Sequence, residues 1–414
     1  MAERVQREES RIMYKSILWL VALAVAAAFV AAPAGAEETH PFSIHDMLAM
    51  DRIGDPNVSP DGKLVVFTLR STDLDANRGR TDLWLSGVDG KGLKRLTADP
   101  AGDWNPRWSV DGRSVYFLST RSGSSQIWRI SLAGGEAQQI TDQPLDVGNL
   151  VMSPDGVHVA FTMEVFVDCE DIDCTTKRLK EREEAKTTGI LFDRLFIRHW
   201  DTWKDGRRAH VFVMPTGGGN AVDIMKGMDA DSPSKPFGGP EEITFTPDGA
   251  GVVFTARDVG LEEPWSTDFD LYLAPIDGSR APECLTEANE AWDTNPVFSP
   301  DGKTLAYMAM AKPRYEADRF RIVLRSWPGG ETRVLTEEWD RSPRYIVWSK
   351  NAKKIYTAAA NLGQVSLYEI DVKKGEVKTV LEMGNVRSPS LAGDKILFGM
   401  DHLKSPVELY TIKT

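Results

Sequence analysis

A chain of 414 residues, 42% apolar and 27% charged, holds ample material for a folded core. Its formal net charge of −12 lacks the basic footprint of a nucleic-acid binder, so no nucleic-acid partner is expected. An acidic balance serves solubility and weakly favours cationic ligands such as a free amino terminus.

The first element in chain order is a run of 16 apolar residues, Ile17 to Ala32, with Arg11 and Lys15 before it and Ala34-Gly35-Ala36 after it. This pattern predicts a secretory signal over 1–36, cut before Glu37, and hence an exported, periplasmic or extracellular protein. The alternative is an uncleaved anchor over residues 17–32, the one route to a membrane partner. Residues 37–57 read as a lead-in segment.

From Ser59 onward one motif recurs: a strand, a turn of the type Ser-Pro-Asp-Gly, and a second strand. Proline pre-sets φ, aspartate bonds back to the backbone, and glycine accepts φ > 0. Copies start at Ser59, Ser109, Ser153, Thr246 and Ser299, with degenerate ones at Ser349 and Leu391. Each is followed by a third strand, a second turn and a fourth strand that ends in a Leu-Thr-like pair, as in Leu96-Thr97 and Leu335-Thr336. Four short antiparallel strands in a unit repeated every 40 to 55 residues predict an all-β fold. The expected architecture is a seven-bladed β-propeller of four-stranded antiparallel blades over 58–414, with the last blade incomplete. One sheet cannot bury both its faces, and packing blades around an axis does. Only three strands of the last unit precede Thr414. Either the segment from Pro41 to Asn57 closes the ring, or no fourth strand closes it, or the chain stops early.

One interval between turns is longer than the rest by about 40 residues, which places an insertion at 167–208 in the third unit. Within it, Thr175 to Lys186 predicts a charged helix with a threonine available as N-cap, carrying Glu183 and Glu184 as candidate anchors for a substrate ammonium. Arg198, His199, Trp200 and Asp201 form a dense polar-aromatic cluster further on. Arg198 suits a carboxylate or carbonyl, Asp201 suits Arg198 or a cation, and tryptophans suit a pocket wall. A solvated helix and a stiffened hairpin account for the same residues, but long insertions in repeat arrays commonly carry binding. Cys169 and Cys174, in the sequence DCEDIDC, are a disulfide candidate in an oxidising compartment. Two thiols with no nearby histidine do not make a metal site, and Cys284 is left as a small apolar side chain. Trp104, Trp292 and Trp339 lie in the loops that enter first strands, a face suited to docking a partner domain.

Catalytic signatures are missing. The sequence has no G-x-S-x-G elbow, no Walker motif and no HExxH, and its six histidines make no ligand spacing. No catalytic residue, metal or cofactor is assigned.

The S-P-D-G units with Leu-Thr endings resemble the propeller of the prolyl oligopeptidase family of serine peptidases, and also the Tol-system periplasmic propellers. The insertion from Cys174 to Val213 is similar to the dipeptidyl-peptidase V and acylaminoacyl-peptidase branch of that family. So are the opening Pro41 to Lys63 and the closing Ser405 to Lys413. The resemblance implies a partner α/β-hydrolase domain carrying the Ser, Asp and His that these 414 residues lack. It implies that Arg198 to Asp201 lie near the substrate end. The expected role is the substrate-gating, non-catalytic part of an exported serine exopeptidase that releases dipeptides or acyl-amino acids from short peptides. The alternative is a free-standing TolB-like periplasmic propeller that scaffolds other proteins.

Overall fold

Each S-P-D-G turn is held by its own side chains. In the first, the Ser59 hydroxyl donates to Asp61 at 2.6 Å and accepts from the Leu64 N–H, while Asp61 also accepts from the Lys63 N–H. The same three bonds recur at Ser109, Ser153, Thr246, Ser299 and, with asparagine for aspartate, Ser349. The turn at 393–394 is a tighter version, in which Ala392 pairs directly with Lys395.

The computed structural model describes residues 40–414, so the expected signal at 1–36 lies outside them. Two units are present, one ending at Ala49 and one from Met50 to Thr414. The described part of the first holds the helix Ile44–Ala49, where the Ser43 hydroxyl and Asp46 bond to each other. Among the described residues no helix is long and apolar enough to cross a membrane.

The second unit is a β-propeller. Five four-stranded antiparallel sheets follow one another in sequence, starting at Arg52–Val58, Asp103–Trp108, Gly148–Met152, Ile243–Phe245 and Asp293–Phe298. A sixth sheet, of seven strands, runs from Val347 to Lys413. Its two parts meet at a single parallel pair, Val365 with Asn385. The lead-in expected over 37–57 is therefore shorter. Arg52–Val58 pairs with Leu64–Asp73 as the inner strand of the first sheet, because its hairpin turn fixes that partner, and among the described residues it forms no strand pairing with the last sheet.

The Leu-Thr endings have a structural cause. The hydroxyls of Thr97, Thr141, Thr286 and Thr336 accept the N–H groups of Leu83, Ile127, Leu271 and Ile322 on the third strands. Each threonine thus continues the sheet where its fourth strand, only two or three residues long, gives out. Edges this short offer little template for pairing with another chain.

Apolar clusters join each group of strands to the next. Val66, Leu83, Trp108 and Phe117 bridge the first and second sheets, and Val213, Ile224, Phe245 and Phe254 the third and fourth. Val65 and Phe67 of the first sheet pack on Ala392 and Leu397 of the last. Gly62 makes that return possible. It sits at φ +74, and a Cβ there would stand 2.7 Å from the Gly393 nitrogen. The first strands of all the sheets surround a central channel of about 1120 Å³.

Candidate functional site

The insertion leaves the third sheet after Val165 and returns at Arg208. Its helix spans Ile172–Glu183 and starts three residues earlier than expected. Asp171, not a threonine, is the N-cap, and its carboxylate accepts the Cys174 N–H at 2.8 Å. A disulfide joins Cys169 to Cys174 across that cap. Thr175 is drawn inside instead, where its hydroxyl accepts the Phe166 N–H. Arg178 and Arg182 lie over the Phe166 ring, and Arg178 makes a forked pair with Asp168 at 2.7 and 2.9 Å.

The base of the insertion is fixed by a buried ionic network. Arg208 donates to Asp229, Asp231 and both oxygens of Glu263, all within 2.9 Å. Lys204 stands 3.4 Å from Glu263 and 3.6 Å from Asp231, and Arg194 donates to Asp229 at 2.8 Å. Burial opposes charge here, yet the bonds from Arg208 win and hold Glu263 and Asp229 below the usual carboxylate range. Burial pushes the Arg257 guanidinium down, and it stacks on Phe269 at 4.5 Å. A buried network of this kind contributes more to fixing one geometry than to net stability.

Beyond this base stands a short hairpin, Arg198–His199 with Thr202–Trp203. Arg198 donates to the Trp200 carbonyl at 2.7 Å and Asp201 accepts from the Thr202 hydroxyl, and among the described residues the two do not pair with each other. Trp200 meets Phe237 edge to face at 5.8 Å, and Trp203 stacks on Phe192 at 6.2 Å. Glu183 and Glu184 are exposed at the helix end, Glu184 beside Lys180 at 3.9 Å, and neither lines a cavity with the hairpin. Sequence reasoning missed Arg208, Asp229, Asp231, Glu263 and Phe237. They come from the start of a strand, the irregular segment 224–242 and the short 3-10 helix Gly260–Trp265, which no periodicity links.

The insertion, a long loop at 257–269 and the segment 224–242 all lie at the ends of second or fourth strands, which topology places on one face. The tryptophans expected to make that face sticky are half-buried. Trp292 stacks on Phe269 at 4.5 Å and Trp339 meets Tyr368 at 5.0 Å. Exposed apolar side chains there include Trp200, Trp203, Phe237, Leu261 and Trp265, with Ile190, Leu191, Leu195 and Ile197 of the insertion.

The channel has its own repeated feature. Asp55, Asn105, Asn149, Asn295 and Ser388 each precede the turn aspartate by six residues and each hold a positive φ beside a bulge in the inner strand. Asn and Asp tolerate this conformation best among residues other than glycine. Their side chains reach between sheets: Asn105 donates to Asp55 and accepts the Leu150 N–H at 2.8 Å. Glu242, at the same position in the fourth sheet, accepts from Thr294 of the fifth at 3.1 Å. Arg344 and Glu241 are exposed in the channel wall. Among the described residues no group of His, Cys, Asp and Glu is arranged to hold a metal ion. Cys284 is half-buried, and burial pushes its thiol up to about 11.

Residues 49–184 match the family TolB beta propeller domain, which agrees with the sheet order and defines the class as a β-propeller protein. Over nearly its whole length the chain resembles the propeller part of the prolyl oligopeptidase family, in its dipeptidyl-peptidase V and acylaminoacyl-peptidase branch. It is 26% identical over 408 residues to dipeptidyl-peptidase 5 of Porphyromonas gingivalis, covering 97% of this chain and 58% of that protein. With dipeptidyl-peptidase 5 of Porphyromonas endodontalis it shares 29% identity over 373 residues, 88% of this chain and 52% of that one. The acylaminoacyl peptidase of Pyrococcus horikoshii has the same fold over 88% of this chain and 52% of its own, with a TM-score of 0.65 at 18% identity. The propeller domain of the Trilobed protease from Pyrococcus furiosus, described as an open velcro topology, superposes with a TM-score of 0.57 at 15% identity, over 87% of this chain and 95% of that one. The chain spans about half the length of the curated relatives it matches.

Proposed function

We propose that this chain is the substrate-gating, non-catalytic propeller portion of an exported serine exopeptidase acting on short peptides. The alignment of 97% of the chain with little more than half of a dipeptidyl-peptidase carries the reading. An α/β-hydrolase domain supplies the nucleophile and oxyanion donors. It docks on the face that carries the insertion, where the exposed Leu261 and Trp265 are covered. The insertion, held rigid by Arg208, walls one side of the substrate cleft, and the Arg198 to Asp201 hairpin meets the peptide. Folded proteins are excluded by size. The groups of strands are seven blades, the last of three strands. The first and last blades meet by side-chain packing rather than by a shared strand. The packing of Val65 and Phe67 on Ala392 and Leu397 supports that closure. The segment 1–36 directs export.

The purified chain is expected to take up no fluorophosphonate probe and to leave dipeptidyl and acyl-aminoacyl reporters uncut. Labelling at a defined serine would overturn the reading.

A further inference from the structure

The first sheet brings two exposed arginines together near its hairpin between the second and third strands. Arg52 of Arg52–Val58 lies directly across from Arg70 of Leu64–Asp73. Like charges in facing positions of neighbouring strands repel and weaken the pairing. Their guanidiniums nevertheless converge. Arg52 donates to the Thr72 hydroxyl at 3.2 Å. Arg70 lies across Gly79, where a Cβ would collide with its Nε, Cζ and Nη2. Thr72 and Gly79 face each other on the second and third strands, so both guanidiniums end at one place. Gly79 holds no positive φ, so glycine here supplies room for Arg70 rather than a turn conformation.

Among the described residues no carboxylate neutralises this place. Asp73 of the same hairpin is taken by Arg80 at 2.6 Å, and strand alternation puts that pair on the other face of the sheet. Asp51 and Asp75, also in this stretch, form no ion pair with Arg52 or Arg70. By contrast, Arg194 and Arg387 are open to solvent and paired, with Asp229 and Asp401. In a chain of net charge −12, two unmatched guanidiniums side by side stand out. Planar forks of N–H donors from two sides, with a hydroxyl between them, suit the geometry of an oxyanion.

We propose that Arg52 and Arg70, converging on Thr72 and Gly79, form a binding site for an oxyanion, either the terminal carboxylate of a peptide or a phosphate group. The bound anion accepts from both guanidiniums and removes the repulsion between them. The site lies on the face that carries the insertion, since both are second-to-third-strand connections. It does not rest on the peptidase reading.

The test is isothermal titration calorimetry of the purified chain with inorganic phosphate, against chloride at matched ionic strength. Phosphate is expected to bind saturably and chloride is not. Arg52→Gln and Arg70→Gln should each weaken phosphate binding by roughly fivefold to tenfold, and Arg70→Lys should recover part of it. Gly79→Ala keeps both charges but fills the space under Arg70, and it should also weaken binding. Arg78→Gln, on the opposite face of the same hairpin, should leave binding unchanged. Circular dichroism of each variant checks that the fold is kept. An acetylated triglycine with a free or an amidated carboxyl terminus then separates the sources. A preference for the free terminus assigns the site to peptide carboxylates, and phosphate binding without that preference assigns it to phosphate. Saturable binding of neither phosphate nor the free-terminus peptide, or an Arg70→Gln variant that binds them unchanged, would overturn the proposal. Fluorophosphonate labelling, which tests the peptidase reading, is independent of either result.

Discussion

Buried carboxylates set how the propeller responds to pH. Asp293 is fully buried and meets Asn289, whose Nδ2 donates to both of its oxygens at 3.0 Å. Burial, with Asp270 nearby, pushes its pKa up to about 8, and burial likewise raises Glu242 to about 7 and Asp268 to about 6. In the unfolded chain these groups release their protons near pH 4. Between there and about pH 8 the native state holds more protons, so these carboxyls make stability fall as pH rises through that window. Urea midpoints are expected to be lower at pH 8.5 than at pH 6, and Asp293→Asn should shrink the difference. An unchanged difference would mean that Asp293 is ionised in the fold. Asn105 tests the latch between sheets. Asn105→Ala loses the bond to the buried Leu150 N–H and strains a positive φ, costing about 2 kcal/mol in denaturant unfolding. Asn105→Gly loses only the bond and should cost about 1 kcal/mol less.

At the scale of elements, the insertion depends on its base. Arg208→Met leaves the buried Glu263 and Asp231, and the half-buried Asp229, without their main partner, and a loss of about 3–5 kcal/mol is expected. Hydrogen exchange should quicken over 192–207 before it does in the sheets, since the hairpin has few buried contacts of its own. Replacing Cys169 and Cys174 by serine should cost about 2 kcal/mol by loop-closure reasoning, seen as faster exchange at the start of the helix. The repeat units, their turns and the place of the insertion were legible because Ser-Pro-Asp-Gly and Leu-Thr are local chemistry. Ser59, Asp61 and Thr97 each bond within a few residues or to the adjacent strand. The helix start was misread because a charged, threonine-led run hid the cap at Asp171. The ring of left-handed residues was present as a spacing: Asp55, Asn105, Asn149, Asn295 and Ser388, each six residues before the turn residue. It went unread because each copy taken alone is an ordinary loop residue. The aromatic hairpin was only half legible. Trp200 and Trp203 stand out in the sequence, whereas Phe237 reaches them through tertiary packing.

Across the whole molecule, the sheets form a frame, and the proposed function falls on one face. The Ser-Pro-Asp-Gly turns occupy the other face, where Leu93, Val110 and Val157 are the large exposed apolar side chains of the turn loops. The second-to-third-strand face carries the insertion, the ionic base, the aromatic hairpin and one mouth of the channel. Hydrogen exchange of the purified chain, with and without a short peptide, tests this division most directly. Protection is predicted over 190–205 and 231–237, with the Ser-Pro-Asp-Gly turns unchanged. Protection confined to those turns, or none anywhere at saturating peptide, would contradict the account.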